Sequence, residues 1–150
     1  MSFTTYNIKG TTSPSFKIRS GVATAELHVL RRQSTSGTAT ELFLDGISSQ
    51  LTLPDNSVSL IHADFVGNYI NGALQETSGY RISTTVTNFN STVTLANIPA
   101  ETVYQESTST WYAEIIAGGA SSNVVKFIVH GEGGKTINWT AFINVATSVQ

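Results

Sequence analysis

The side chains able to do chemistry are few and scattered. The histidines are His28, His62 and His130. His62 and Asp64 stand two residues apart in a stretch that alternates like a strand, which puts them on one face. An imidazole beside a carboxylate is the raw material of a metal site or an acid–base pair. No third ligand stands at a metal-binding spacing, so a hydrogen-bonded histidine next to a solvated carboxylate is the plainer reading. Asp45, Asp55 and Glu132 fall in turn-like segments. Two carboxylates across a cleft can cleave a glycosidic bond, but turn aspartates more commonly hold their own backbone. Gly134-Lys135-Thr136 has the ending of a phosphate-binding loop. Its first glycine would stand where Val129 is, and the stretch that follows alternates like a strand, so a hairpin turn accounts for it better. No serine sits in a nucleophile elbow. With no cysteine, disulfides, thiol catalysis and thiolate metal sites are excluded. These residues nominate no catalytic set, no metal and no cofactor, and the chain is expected not to be an enzyme.

The aromatic residues offer contact chemistry instead. Trp111 and Trp139 could stack on a sugar, yet each is in register with aliphatic neighbours. Those neighbours are Ala113 and Ile115 for the first, Ile137 and Ala141 for the second, and the pattern favours core packing. Tyr69 and Tyr80 flank the segment 68–79, which reads as a loop or the tip of a long hairpin. They are the candidates for an exposed contact surface.

The elements that must position these groups read as strands throughout. About a quarter of the 150 residues are Ser or Thr, above average usage, and only 12% are charged. Such residues suit strands and turns better than helix interiors. Length allows one domain with one real core. Net charge is −2 and no basic cluster exceeds Arg31-Arg32, which disfavours a nucleic-acid partner. No apolar run is long enough for a membrane helix, so membrane insertion is not expected. The polar segment 1–23 is expected to be an extended arm and anchor, with a short strand at 16–19.

The single domain is then 24–150. Ala25, Leu27 and Val29 alternate with Glu26, His28 and Leu30, and the odd set is assigned inward. Strands follow at 41–44, 51–53, 58–67, 80–86, 92–95, 111–117, 124–130 and 136–145. In 58–67 the apolar set changes parity between Leu60 and Ile61, as at a bulge or sheet corner. One helical turn is conceivable at 100–106. The expected core holds Leu27, Val29, Leu42, Leu44, Phe65, Ile82, Ile115, Phe127, Ile137, Trp139 and Ile143. About nine short strands imply an all-β, antiparallel sandwich, with a jelly-roll-like arrangement expected.

Four stretches carry a resemblance. Arg32-Gln33-Ser34-Thr35-Ser36-Gly37-Thr38-Ala39-Thr40-Glu41-Leu42-Phe43-Leu44-Asp45-Gly46 is followed by Leu51-Thr52-Leu53-Pro54-Asp55-Asn56-Ser57. With Ser78-Gly79-Tyr80-Arg81 and Gly131-Glu132-Gly133-Gly134-Lys135-Thr136-Ile137-Asn138-Trp139-Thr140-Ala141, they resemble the β-rich C-terminal module of phage tail-fibre and tailspike-like proteins. The resemblance spans most of residues 24–145 and implies a virion protein, assembled in the host cytoplasm and often trimeric. It carries no catalytic motif. Fibres usually place a long attachment region before this module, whereas a short arm and Met1 precede it here. The expectation is therefore a capsid-decorating, or cement, protein contacting the major capsid protein or other virion proteins. The alternative is a tail-fibre receptor-binding module for host surface polysaccharide.

Several strands are apolar on both faces. Tyr112 and Ile116 alternate with Ala113 and Ile115, and Val124 and Ile128 with Val125, Phe127 and Val129. One face serves the core, so Tyr112, Ile116, Val124 and Ile128 are the expected interface of a closed homo-oligomer, a trimer by the fibre resemblance. Far-ultraviolet circular dichroism of the purified chain should show a β-type spectrum, and strong helical minima would refute the fold.

Overall fold

A computed structural model describes residues 15–106 and 110–150. Eleven strands occur in that part: β1 (Ser15–Ser20), β2 (Ala23–Ser34), β3 (Ala39–Leu42), β4 (Leu51–Thr52), β5 (Ser57–Asn71), β6 (Leu74–Phe89), β7 (Thr92–Leu95), β8 (Ala100–Glu106), β9 (Tyr112–Ala117), β10 (Val124–His130) and β11 (Ile137–Val149). They form a seven-stranded sheet in the order β1-β2-β11-β5-β6-β7, with β8 also on β6. A four-stranded sheet has β10 at its centre, paired with β3 and β4 along one edge and β9 along the other. All pairings are antiparallel, and residues of both sheets share one hydrophobic core. This is the expected sandwich. Most of the expected arm, residues 1–14, lies outside the described residues, while 15–20 form an edge strand on β2.

Tight turns explain the long hairpins. β5 and β6 stay paired from Ser57↔Asn88 to Asn71↔Leu74, so most of the segment 68–79 is strand. The two-residue turn starts with Gly72 at φ 61, the left-handed geometry a type II′ turn requires. β6 and β7 are joined by Asn90 and Ser91 at φ 50 and 55, as in a type I′ turn that matches the strand twist. The segment 100–106 is strand β8 rather than a helical turn, because its backbone pairs with β6.

Parity decides the core. Inner-face rows run across the large sheet as Leu30–Ala141–Phe65–Tyr80 and His28–Ile143–Ala63–Ile82. The smaller sheet closes over them with Leu42, Ile115, Val125, Phe127 and Val129. Trp111 and Trp139 are buried with ring centroids 5.8 Å apart, and Trp139 Nε1 donates to Ser34 Oγ at 2.9 Å. Two expectations are corrected. Leu27 is 39% exposed and Val29 only half-buried, because register with inward Ile143 turns His28, not Leu27, to the core. β5 has no bulge at Leu60/Ile61: its pairing with β6 and β11 is continuous, and Val58 and Leu60 simply face outward.

Gly67 lies where Trp139 crosses β5. A Cβ there would meet Ser78 Oγ and Trp139 ring carbons at 2.7–2.8 Å, and the backbone is ordinary strand, so the constraint is steric. Gly67→Ala should cost about 1–3 kcal/mol. It should appear as a lower urea midpoint at unchanged m-value.

Candidate functional site

Each candidate residue has a definite place. His62 Nδ1 and Ser83 Oγ are 2.7 Å apart across the β5–β6 ladder. Asp64 takes both arms of Arg81, from Nε at 2.6 Å and Nη2 at 2.8 Å, and this carboxylate raises the Arg81 pKa above its ordinary value. The pair His62 and Asp64 thus shares a face, as the spacing required, but each is engaged with the neighbouring strand. Among the described residues no group of three His, Asp or Glu is arranged to hold a metal. Nor is any helix there long and apolar enough to cross a membrane. Asp55 Oδ1 accepts from the backbone N–H of Ser91 at 2.8 Å, so it ties two turns together.

Tyr80 is corrected outright. It is 1% exposed and donates through its hydroxyl to the Trp111 carbonyl at 2.6 Å. It faces Phe65 on the inner side of the sheet, so it cannot serve as a surface contact. Tyr69 is half-buried at the end of the sandwich. Lys135 Nζ stands 5.7 Å from its ring centroid and donates to Glu76 Oε2 at 2.6 Å and Glu132 Oε2 at 2.8 Å. The hydrogen bond from Lys135 holds the Glu132 carboxyl below the usual range, and the same two carboxylates raise Lys135. The lysine of the phosphate-loop-like segment therefore clips the 131–136 loop to the β5–β6 hairpin.

The expected interface set divides. Tyr112 is exposed and stacks on His130 at 3.9 Å, with His130 Nε2 2.9 Å from Glu114 Oε1. Ile116 and Val124 are half-buried. Ile128 is corrected: it is only 6% exposed within the single chain, flanked in register by Glu41 and Glu114. More exposed apolar residues lie on the outside of the seven-stranded sheet, which they share with His62, Asp64 and Arg81. There Leu27, Val58, Leu60, Val66 and Phe142 are each 39–49% exposed. An open, mainly small-residue trough of about 500 Å³ runs between Ala23, Ala25, Ala146, Val58 and Leu60.

A polar groove of about 550 Å³ lies at the other end of this outer face. Arg31 and Gln33 of β2 stand opposite Thr140 and Asn138 of β11, and Asp45-Gly46 form the wall. The wall is held by a hydrogen bond from Arg31 N to the Phe43 carbonyl at 3.1 Å. Asp45 Oδ1 accepts from the backbone N–H groups of Ile47, Ser48 and Ser49 at 2.8–2.9 Å. Those donors, Ser49 foremost, hold its carboxyl far below the usual range. Arg32 lies 5.1 Å from the Phe43 ring centroid, and Gln33 Nε2 donates to Asn138 Oδ1 at 2.8 Å. Neither guanidinium has a carboxylate partner among the described residues. Sequence reasoning noted Arg31-Arg32 only as a charge pair. The groove needs residues from β11 that no local motif announces.

His28 and Glu26 form a part-buried pair on β2. His28 is buried, and its Nε2 lies 2.8 Å from Glu26 Oε2, while Glu26 Oε1 pairs with Lys17. An ionised carboxylate only accepts, so Nε2 of His28 is the donor in this hydrogen bond. That hydrogen bond, with Lys17 adding to it, lowers the Glu26 pKa from 4.5 to about 2. A depressed carboxyl stabilises the fold fully above its unfolded value and loses that contribution as pH falls through its folded value. Glu26→Gln should therefore lower the unfolding temperature at pH 7. It should also flatten the decline between pH 4.5 and about 2 in a thermal-unfolding series. Parallel wild-type and variant curves would contradict this.

No family model matches the chain, and no curated protein matches it. Among solved structures, it is similar to the tailspike protein gp49 from Acinetobacter baumannii bacteriophage Fri1, described as a capsular polysaccharide depolymerase. The TM-score is 0.44 with 13% identity, over 87% of this chain and 19% of that one. The chain thus spans about a fifth of that protein's length.

Proposed function

We propose that this chain is a structural module of a tailed-phage virion, displayed on the particle surface as a decorating protein. The observation that carries the reading is the outer face of the seven-stranded sheet, where Leu27, Val58, Leu60, Val66 and Phe142 lie in water in the single chain. An apolar face of this kind is the mark of an association surface. The motif resemblance of residues 24–145 supplies the phage context and the trimeric expectation. The partner is first a copy of the same chain. The trough at Ala23, Ala25, Ala146, Val58 and Leu60 carries no charged side chain that would repel a neighbour, and closed symmetry would end the assembly. This moves the proposed interface from Tyr112, Ile116, Val124 and Ile128 to the opposite sheet. The major capsid protein or another virion protein is the second partner.

A second reading, a tail-fibre receptor-binding module for host polysaccharide, is favoured by one specific observation. The Arg31–Asn138 groove is open and lined by amide, hydroxyl and guanidinium groups, which suit sugar hydroxyls. Both readings place the chain on the virion, at the capsid or at the tail. Density-purified particles should contain the chain by mass spectrometry, and immunogold labelling should place it on the capsid shell. Labelling confined to tail tips would favour the receptor-binding reading, and absence from the particle would end both. Native mass measurement should give a closed oligomer. A monodisperse monomer, together with no oligomer on the particle, would remove the self-association claim.

A further inference from the structure

We infer that the groove at Arg31 is a site for the carboxylate of an acidic saccharide. The inference rests on the glycan-recognition reading of that groove and adds the charge of the ligand. The described cations elsewhere on the outer face and at its end are already matched. Arg81 holds Asp64 with both arms, and Lys135 holds Glu76 and Glu132. Arg31 and Arg32 differ: they are adjacent, exposed and without a carboxylate among the described residues. A guanidinium is a rigid fork that fits a carboxylate through two parallel hydrogen bonds.

The groove's own acid is turned into its own loop but stays ionised, so two guanidiniums stand against one carboxylate in the lining. Asp45 lines the wall, but its Oδ1 is filled by three backbone N–H groups and its Oδ2 accepts from Ser49 Oγ at 2.9 Å. Arg31 is held over the groove by its neighbours: its Cγ and Nε lie 3.4 Å from where a Cβ on Gly46 would stand. A side chain at position 46 would crowd the guanidinium, and Gly46 is at φ +79, where glycine is favoured. Beside it, the Gln33–Asn138 hydrogen bond uses one donor and one acceptor. The Gln33 carbonyl and the Asn138 amino group remain for a ligand. A free acceptor next to a free donor, with the Thr140 hydroxyl adjoining, matches neighbouring sugar hydroxyls. The carboxylate would bind the guanidinium and the ring hydroxyls would bind the amides, which is the chemistry of a uronate rather than of a neutral sugar.

The test is calorimetric titration of the full chain with trimers of glucuronate, galacturonate and mannuronate. Their carboxyl-reduced neutral counterparts and a triglutamate peptide complete the panel. At least one uronate should bind at least tenfold more tightly than its neutral counterpart and than triglutamate. Arg31→Gln should weaken uronate binding at least tenfold and weaken any neutral binding by a clearly smaller factor. Asn138→Ala should weaken both, and thermal unfolding of each variant confirms that it is folded. Equal binding of uronate and neutral trimers would overturn the charge inference and leave the glycan reading standing. Triglutamate binding as tightly as the uronates would overturn the saccharide assignment. No binding of any trimer at millimolar concentration would overturn the inference and the glycan reading together, without touching the virion-decoration reading.

Discussion

The structure depends on the register of β11. That strand is paired with β2 from Ile137↔Ser34 to Ser148↔Ala23 and with β5 from Asn138↔Asn68 to Val149↔Ser57. Side chains in a strand alternate strictly, so this register sends Ile137, Trp139, Ala141, Ile143 and Val145 inward together. A slip by one residue would expose all of them. The same pairing fixes the face of every residue on β2 and β5. Phe142, Ala146, Leu60 and Leu27 are outside because their neighbours in the chain are needed inside. The exposed apolar residues of the outer sheet and the polar groove are thus products of core packing: both lie on the face that the core rejects.

Polar interactions refine this frame more than they create it. The Lys135 clip and the Asp64–Arg81 pair tie neighbouring segments at the surface, where ion pairs contribute little net stability. The Asp64–Arg81 pair sits amid the outer face and the Lys135 clip at its end, which leaves Arg31 and Arg32 as adjacent guanidiniums without a carboxylate among the described residues, beside a groove walled by the Asp45 loop.

The sequence disclosed the sandwich because its strands alternate. β11 was legible residue by residue, since Ile137, Trp139, Ala141, Ile143 and Val145 are separated by polar or exposed positions. β2 was not, since Leu27 and Val29 on one side compete with Leu30 on the other. Only its register with Ile143 chooses His28 and Leu30 for the interior. Tyr80 was legible in principle: it shares parity with Ile82 and Val86, so a core Ile82 already implied a core Tyr80. The apparent parity change at Leu60 was the outer face showing itself, not a bulge. The groove was not legible, because Gln33 and Asn138 meet across 105 positions of the chain. Residue types at such separations carry no spacing signal. Only the sheet order brings them together.

The central claim is that the outer face of the seven-stranded sheet is covered in the working assembly. Oxidative footprinting of the free chain against the particle-bound chain tests it most directly, because Leu60, Val66 and Phe142 are 44–48% exposed in the single chain. The account predicts strong protection of Leu60 and Phe142 on the particle, with Tyr112 on the opposite sheet remaining reactive. Equal modification of Leu60 and Phe142 in both states would contradict it.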